Sequence, residues 1–376
     1  MAKILIVANI PVPPIIAGSQ RCICNYCETL KKLGHEVYFL YAGRELKEPN
    51  GDSSAFWSGN YFHYNYSFFL RLGNFLKRKI LLYILKKYSI GFYYPLWGLN
   101  KYVEALQRSY HFDTIIVNYP WMTPLLKSTS IPNKLLFTHD KFTQKKETIH
   151  AEYYSLSAQQ EKEALSRADQ ILSIQEEETE FFKTLLPEKP IYTVFTQFEY
   201  HETINSNTSN ILFFSGNSDL NLNGISYFIE KVWPLVKKEV TNAKLIIGGG
   251  ICKALRGVIK DADVELAGYV DDVCEFYKRG NIAINPVYQG TGLKIKTLEA
   301  ISYGKIIVVH PHSVAGLYKK ESVPVFVGDT NDTYANYLIQ ALKEEISPWE
   351  ISDKCRRYIT EMDNYIVAQY KQVKYK

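Results

Sequence analysis

The chain has 376 residues, of which 46% are hydrophobic and 22% are charged, and its formal net charge is +5. This length is more than a single hydrophobic core usually supports, so we expect two domains. The charge balance excludes a disordered chain and a dedicated nucleic-acid binder.

The start of the chain lacks the pattern of a secretory signal, because Lys3 leads directly into a short apolar run without a cleavage-site pattern. The longest unbroken apolar run, residues 80–85, is far shorter than the roughly 20 residues of a membrane-spanning helix. We therefore expect a cytoplasmic protein with six free cysteines. Three of them, at positions 22, 24 and 27, follow a helical pattern that spreads them around the helix, which disfavours a metal site.

Apolar runs alternate with helical periods in the first half of the chain. Residues 3–8 are typical of a buried parallel strand, and residues 19–33 of a helix that ends at Gly34. Residues 37–42 predict the next strand, which completes a βαβ unit. Further strands are predicted at residues 114–117, 134–138, 170–174 and 191–194, with a helix at 155–167.

The polar residues 200–210 predict an interdomain linker that does not pack. The same alternation then begins again, with strands predicted at residues 211–214, 244–247, 264–267, 282–285, 306–309 and 323–327. We expect residues 1–195 and 196–351 to form two Rossmann-like domains, and the amphipathic tail 352–376 to pack back on the first. Ligands of such sheets bind beyond the carboxyl ends of the strands, so the site is expected between the domains.

A glycine-rich motif, GTGLKIKTLEA at residues 290–300, follows the predicted strand 282–285. Its glycines allow the backbone to approach a diphosphate closely, and a helix beginning near Leu293 would direct unpaired N–H groups toward it. Lys294 and Lys296 add positive charge, and Glu299 is placed to accept hydrogen bonds from ribose hydroxyls. The alternative is a glycine-rich loop before an ordinary surface helix, with Lys296 and Glu299 as a solvated pair.

The motif, followed by Gly304 and the apolar run 306–309, resembles the donor-site signature of the family 4 retaining glycosyltransferases, within the glycosyl transferases group 1. The resemblance extends over nearly the whole chain and is strongest at residues 211–309. It implies a GT-B fold, an α/β architecture of two Rossmann-like doubly wound parallel-sheet domains that face a cleft. It also implies a set of donor-binding residues: Gly216, Asn217, Gly248, Tyr269, Val270, Gly290, Thr291, Gly292, Leu293 and Glu299.

One position departs from the family pattern. Many relatives carry two glutamates separated by seven residues, and the first would fall at Thr291 by count or near Gln289 by alignment of the glycines. Neither residue is acidic, so the contact to the donor sugar that this glutamate usually makes is left without a candidate.

Two candidate groups lie in the predicted first domain. Gly18, Ser19 and Arg21 open the first helix after a Pro-rich loop, which in relatives meets the acceptor and the donor phosphate; Ser19 as a simple helix cap is the alternative. His139 and Asp140 follow a predicted strand and resemble a His-Asp pair of several family members. A neutral imidazole can donate one hydrogen bond and accept another, so His139 is a candidate for contact with a sugar hydroxyl, whereas Asp140 is also a candidate helix cap.

Residues 53–103, the basic segment, contain seven Lys or Arg and no Asp or Glu. The cations of residues 71–87 alternate with aromatic and aliphatic residues. This pattern suits the surface of an anionic membrane, and a solvated amphipathic helix is the alternative. A nucleic-acid role is disfavoured because no recognition module accompanies the charge.

The residues and the resemblance together predict a metal-independent glycosyltransferase without a cofactor, and the resemblance implies that its reaction retains the anomeric configuration. The enzyme would move a sugar from a nucleotide-diphosphate sugar to a glycan or lipid-linked acceptor in cell-surface polysaccharide biosynthesis. Lys294, Lys296 and His139 are the candidate catalytic residues. Two other functions stay open: a nucleotide-sugar epimerase of the same architecture, and a non-catalytic docking module.

Overall fold

The computed structural model describes residues 1–13, 15, 18–43, 53–65, 68–80, 98–143, 145, 155–205 and 209–376. The chain divides into two compact units, one of residues 1–196 with 366–376 and the other of residues 197–365. Each unit contains one sheet in which all the strand pairs are parallel. The predicted α/β class with two doubly wound parallel sheets is therefore confirmed.

The N-terminal unit has a seven-stranded sheet in the order β3-β2-β1-β4-β5-β6-β7. The strands are β1 (Lys3–Ala8), β2 (Glu36–Tyr41), β3 (Tyr61–His63), β4 (Thr114–Asn118), β5 (Asn133–Phe137), β6 (Gln170–Ser173) and β7 (Ile191–Thr193). The helices are Gly18–Lys32, Ser53–Phe56, Phe68–Lys79, Leu99–Tyr110, Ala158–Ser166 and Glu176–Leu185, with a 3-10 helix at Pro120–Lys127.

Alternate side chains of the central strands build one core of this unit. Leu5, Val7, Ile115 and Val117 are fully buried, and Val103 of the helix Leu99–Tyr110 belongs to the same cluster. Burying each such side chain contributes about 1.5–3 kcal/mol. This burial explains why the central strands appear in the sequence as continuous apolar runs.

The C-terminal unit has a six-stranded sheet in the order β10-β9-β8-β11-β12-β13. The strands are β8 (Asn210–Phe214), β9 (Lys244–Gly248), β10 (Val264–Gly268), β11 (Ile282–Asn285), β12 (Ile306–Val309) and β13 (Phe326–Val327). The helices are Asp219–Tyr227, Trp233–Glu239, Cys252–Leu255, Val273–Tyr277, Ile295–Ser302, Asn331–Leu342 and Pro348–Gln372. A π-helical stretch, Phe228–Val232, joins the first two, and 3-10 turns lie at Pro311–Val314 and Lys320–Ser322.

The prediction that residues 200–210 do not pack is wrong for residues 200–205; residues 206–208 lie outside the described residues. Thr203 is 3% exposed and its hydroxyl donates to the Tyr303 carbonyl at 2.8 Å. The Nζ of buried Lys305 donates to the Thr203 carbonyl at 3.0 Å. Polar composition suggested a free linker, but these hydrogen bonds hold the segment on the C-terminal unit.

The tail returns to the N-terminal unit at Ile366, later than the predicted start of 352. The first part of the helix Pro348–Gln372 belongs to the C-terminal unit because Tyr358 donates to the Tyr318 carbonyl at 2.6 Å. Beyond Ile366, the Tyr375 carbonyl accepts from Thr114 at 2.7 Å and the Lys374 carbonyl accepts from Gln170 at 2.7 Å. These bonds tie the end of the chain to β4 and β6.

Within the described residues, no helix is both long and apolar enough to cross a bilayer. All six cysteines are free thiols. The described residues also contain no group of three His, Cys, Asp or Glu side chains that could hold a metal ion.

Candidate active site

The loops that follow β8, β9, β10 and β11 leave the same edge of the C-terminal sheet, and we call this edge the second rim. Its loops are residues 215–218, 249–251, 269–270 and 286–294. Gly249 has a φ of +94°, and a Cβ at this position would lie 2.4 Å from the Ser215 carbonyl oxygen. A side chain there would collide with backbone, so the chain needs glycine where the first two loops meet.

The predicted donor-binding residues Gly216, Asn217 and Gly248 lie where these two loops meet. Gly216 and Asn217 are exposed, and Gly248 is buried at the end of β9. A Cβ on the neighbouring Gly250 would lie 3.4 Å from the Asn217 backbone nitrogen. The close approach of the two loops leaves backbone on the surface of the rim, which is what close contact with a phosphate requires.

A buried hydrogen-bond network fixes the loop 286–294 after β11. The Asn285 amide donates to the Thr297 hydroxyl at 2.9 Å, and this hydroxyl donates to the Ser313 carbonyl at 2.9 Å. The Ser313 hydroxyl donates in turn to the Val287 carbonyl at 2.8 Å. All three side chains are buried, so they fix the start of the loop to the helix that follows it.

The glycines of the motif occupy conformations that other residues rarely adopt. Gly290 has a φ of +129° and Gly292 a φ of +76°. Between and after them, Thr291 is half-buried and Leu293 is 9% exposed. The chain therefore turns sharply at this point, and Leu293 anchors the turn in the core while Thr291 stays at the surface.

The helix after this turn begins at Ile295, two residues later than predicted, and Lys294 is its N-cap. The backbone of Lys294 is not helical, with ψ at 64°, because the glycine turn has to be completed before the helix can start. The Lys294 Nζ donates to the Gly292 carbonyl at 3.1 Å. An ammonium group thus lies over the loop just before a helix N-terminus, where the helix dipole favours an anion.

Lys296 and Glu299 lie one turn apart on this helix. Burial lowers the pKa of Lys296 to about 8; the Glu299 carboxylate opposes this shift and the nearby Lys294 ammonium adds to it. Glu299 is only 7% exposed. The alternative of a fully solvated Lys-Glu pair on a surface helix therefore does not describe this pair, because Glu299 is buried and Lys296 is half-buried.

The remaining predicted donor-binding residues follow β10. Gly268 has a φ of +77°, and Tyr269 directly after it is 77% exposed, whereas Val270 is half-buried. An exposed aromatic ring beside a sharp turn is available to a planar ligand, and this is the segment that the resemblance assigns to the nucleobase.

Sequence reasoning missed His312 at the second rim. It lies in the 3-10 turn Pro311–Val314, directly after β12, the strand next to β11. A Cβ on Gly290 would lie 4.0 Å from its Nε2. The signal in the sequence was the pair His310 and His312 at the end of an apolar run, because neighbouring parallel strands end at one edge of a sheet.

The ends of β4 and β5 form a comparable edge of the N-terminal sheet, which we call the first rim, residues 118–119, 138–143 and 145. His139 lies there at 9% exposure with a φ of +63°, an unusual conformation for a histidine. Its Nε2 lies 2.8 Å from the Asn118 Oδ1, and its ring stacks on Tyr119 with centroids 4.3 Å apart. Burial lowers the pKa of His139 to about 3, so the ring is neutral at physiological pH.

Asp140 lies beside a buried acid on the first rim. Its carboxylate pairs with the ammonium of Lys145 and accepts from the Lys141 backbone N–H at 2.9 Å. Burial, and then the Asp140 carboxylate, raise the pKa of Glu178 well above its usual range. Glu178 is 3% exposed, so a buried acid lies beside Asp140 on the loop that carries His139.

A second buried carboxylate holds the same loop. The two oxygens of Glu161 accept from the backbone N–H groups of Phe142 at 2.9 Å and Thr143 at 2.8 Å. Glu161 lies on the helix Ala158–Ser166 and Glu178 on the helix Glu176–Leu185, so side chains from two helices support residues 140–143.

The third predicted group lies at the start of the first helix. This helix is Gly18–Lys32, so Ser19 is its second residue. Gln20 anchors this turn by donating to the Pro11 carbonyl at 2.9 Å. Gly18, Ser19 and Arg21 are half-buried, which leaves their role in binding an acceptor or phosphate as a prediction.

Comparison with known proteins finds a family match in the C-terminal unit and one similar protein over nearly the whole chain. Residues 209–344 match the family model "Glycosyl transferases group 1". The chain is 23% identical over 96% of its length to an uncharacterized 44.6 kDa protein from the cps region of Klebsiella pneumoniae, of which it covers 96%.

Solved structures extend the likeness to the whole fold. The chain superposes on TarM with a TM-score of 0.71 at 11% identity, covering 99% of this chain and 98% of TarM. It superposes on the pneumococcal O-GlcNAc transferase GtfA, solved with UDP and GlcNAc, with a TM-score of 0.69 at 9% identity, covering 99% and 98%. For Anabaena Alr3699/HepE, solved with UDP, the TM-score is 0.68 at 11% identity, and each chain is covered to 98%. Residues 209–344 thus match the glycosyl transferases group 1 model, and the chain shares the fold of these GT-B glycosyltransferases.

Proposed function

We propose that this protein transfers a sugar from a nucleotide-diphosphate sugar to a glycan or lipid-linked acceptor. The observation that carries the proposal is the meeting of glycine turns, two lysines and a buried glutamate at the second rim, inside the segment that matches the family model. The Anabaena and pneumococcal neighbours were solved with UDP, which supports a nucleotide as the ligand here.

The residues of the second rim have separate roles in this proposal. Lys294 and Lys296 stabilise the charge that develops on the departing diphosphate, together with the backbone N–H groups at Ile295. Glu299 accepts hydrogen bonds from the ribose. Tyr269 and Val270 lie against the nucleobase. Because the cationic side chains and a helix N-terminus supply countercharge, the proposed reaction is metal-independent.

The first rim supplies the contact to a sugar hydroxyl through His139. By the family resemblance, the reaction retains the anomeric configuration. The likeness to a protein from a cps region supports a role in cell-surface polysaccharide biosynthesis.

A slow hydrolysis assay tests the proposed function against its two alternatives. The protein is incubated with UDP-, GDP-, CMP- and dTDP-sugars, and free sugar, isomerised nucleotide sugar and bound nucleotide are measured. A transferase without acceptor releases free sugar from one of them, an epimerase isomerises the intact nucleotide sugar, and a docking module does neither. Two variants complete this assay: Lys296→Ala should abolish most of the sugar release, and Lys278→Ala is its matched control. The Lys278 side chain forms a surface ion pair with Glu275 of the helix Val273–Tyr277, away from the motif.

We further propose that the helix Phe68–Lys79 brings the enzyme to an anionic membrane that carries the acceptor. Residues 81–87 of the predicted membrane segment lie outside the described residues. On the helix and directly after it, Phe69 is 81% exposed, Leu72 46%, Phe75 52%, Leu76 51% and Ile80 48%. Their spacing places them on one side of the helix, and the surrounding basic segment carries no acid.

Co-sedimentation with vesicles of anionic and neutral lipid tests this membrane contact. Wild-type protein is expected to pellet with anionic vesicles at low salt and to be released by added salt. Replacing Lys77, Arg78 and Lys79 with Glu should weaken binding by at least about 100-fold, since each cation contributes about 1 kcal/mol. Replacing Lys278, Lys319 and Lys343 with Glu is the control of equal charge. Wild-type protein that stays in the supernatant at low salt would refute the contact.

A further inference from the structure

Asn118 is a fully buried polar side chain at the end of β4, and the proposed function gives it no role. Its Nδ2 donates to the Val7 carbonyl at 3.0 Å. A carbonyl oxygen only accepts hydrogen bonds, so this contact fixes which end of the Asn118 amide faces β1. The Oδ1 therefore faces the opposite side, toward Tyr26 and His139.

The Asn118 Oδ1 determines which nitrogen of His139 carries the proton. It lies 2.8 Å from the His139 Nε2, and an amide oxygen cannot donate, so Nε2 must carry the hydrogen. The Tyr26 hydroxyl lies 3.1 Å from the Oδ1 and 2.9 Å from the Nδ2 of Asn118, which holds the amide in place from a third side. The remaining nitrogen of the ring, Nδ1, is then a hydrogen-bond acceptor.

The His139 ring has little freedom to leave this arrangement. It stacks on Tyr119 at 4.3 Å and contacts Phe137 with centroids 4.7 Å apart. Both His139 and Tyr119 have positive φ values, 63° and 74°, which non-glycine residues keep only where the surroundings enforce them. Because His139 also stays neutral, the ring presents one fixed tautomer.

We propose that Asn118 is a positioning residue that holds His139 as the Nε2–H tautomer, so that Nδ1 accepts a hydrogen bond from a sugar hydroxyl of the substrate. This inference rests on the proposed function and narrows it. The Nε2–H of His139 already donates to Asn118, so the ring cannot also donate to a sugar hydroxyl. This proposal replaces the sequence-based expectation that His139 donates to one hydroxyl and accepts from another. The site therefore selects a substrate hydroxyl that donates a hydrogen bond to Nδ1, and a substrate lacking that hydroxyl should react poorly.

Nitrogen-15 NMR of the histidine side chains in the intact protein reads the tautomer directly. The expected spectrum of His139 shows a protonated Nε2 and a bare Nδ1, unchanged between about pH 5 and 8 because burial lowers its pKa to about 3. His139→Gln assigns the signals. A proton on Nδ1 in the wild type would overturn the proposal, whatever the activity of the enzyme.

Asn118→Asp tests the positioning role with nearly the same side-chain shape. The new carboxylate should favour the doubly protonated, charged imidazole, shift the His139 signals, and lower kcat for sugar release at least tenfold near pH 7 while nucleotide affinity stays within twofold. The loss should shrink as pH rises and the ring loses its extra proton. Asn60→Asp, in the same unit, is the control of equal charge, since the Asn60 side-chain amide donates to the Val37 carbonyl of β2 at 3.3 Å, whereas His139 follows β5.

Different results would refute the positioning role of Asn118 and the proposed transferase function. If Asn118→Asp shifted neither the His139 signals nor kcat, Asn118 would not position the ring. If the wild type showed the expected tautomer but released no sugar from any nucleotide sugar, the proposed function would fall, and with it the role of Nδ1 toward a substrate.

Discussion

The two rims differ in the type and charge of their residues, although each lies at the carboxyl end of a parallel sheet. The side chains that characterise the first rim are neutral or have their charge balanced by a neighbour. His139 is neutral and hydrogen-bonded to Asn118, and Asp140 forms an ion pair with Lys145. The second rim consists of glycine backbone and cations, with Gly290 and Gly292 before Lys294 and Lys296. A neutral, hydrogen-bonded edge suits sugar hydroxyls, and a cationic edge with accessible backbone suits a diphosphate. The same strand topology thus supports two kinds of recognition, because different residues occupy the loops after the strands.

The largest effect is expected at the cationic edge. Lys296→Ala should lower turnover by about 100- to 1,000-fold, comparable to the loss of one preorganised group that stabilises developing charge. Affinity for the bare nucleoside should change much less, because the charge matters most as the diphosphate departs. Lys294→Ala should act in the same direction but more weakly. Steady-state kinetics of both variants beside Lys278→Ala checks this, and wild-type turnover in both would mean that the motif is an ordinary helix.

The pH dependence of kcat/KM tests the same role of the Lys296 charge. Because the pKa of Lys296 is lowered to about 8, its ammonium is lost as pH rises through that value in the free enzyme. The kcat/KM for the nucleotide sugar should therefore fall above about pH 8. In Lys296→Arg the charge persists, so any remaining activity should not fall in this range. A profile that declines equally in both proteins would assign the loss to another group.

Glu299→Ala should weaken nucleotide binding by about 10- to 150-fold, since hydrogen bonds to charged groups contribute roughly 1.5–3 kcal/mol. Titration calorimetry measures this, and Glu275→Ala, an exposed acid of the same unit, is the control. Unchanged affinity in a folded Glu299→Ala protein would remove the ribose contact from the account.

The smallest effect is expected at the neutral edge, in the stability of the loop that carries His139. The pKa of Glu178 is raised above its ordinary value of 4.5, so its contribution to stability is complete below that value and is lost as pH rises toward the raised pKa. Glu178→Gln keeps a donor for Asp140 and removes this titration. The variant should gain up to about 1–3 kcal/mol relative to the wild type between pH 5 and 8. Denaturant unfolding at several pH values checks this, and parallel stability curves would contradict it.

The strands that the sequence predicts best are fully buried. Residues 3–8, 282–285 and 306–309 match their observed strands because both faces are covered and the apolar runs are unbroken. The three-residue edge strand Tyr61–His63 was missed because its half-buried aromatic residues resemble the rest of the basic segment. The strand predicted at 323–327 is shortened to Phe326–Val327 at an edge of the C-terminal sheet.

The same distinction applies to the candidate site. The motif 290–300 is local, so its glycines, lysines and glutamate were identified together. The pairing of Asn118 with His139 joins residues 21 positions apart at the ends of the neighbouring strands β4 and β5, and the sheet order brings them together. Thr203 shows the converse, since a polar residue in a polar run is buried by hydrogen bonds that composition does not reveal.

Hydrogen–deuterium exchange with and without a bound nucleoside diphosphate tests the central claim most directly. A thermal-shift panel of UDP, GDP, CMP and dTDP first selects the ligand, and exchange is then followed over the whole chain. We predict that protection concentrates at the second rim, in residues 215–218 and 286–299, and is lost in Glu299→Ala. No shift with any nucleotide, or protection that leaves both of these segments unchanged, would contradict the account.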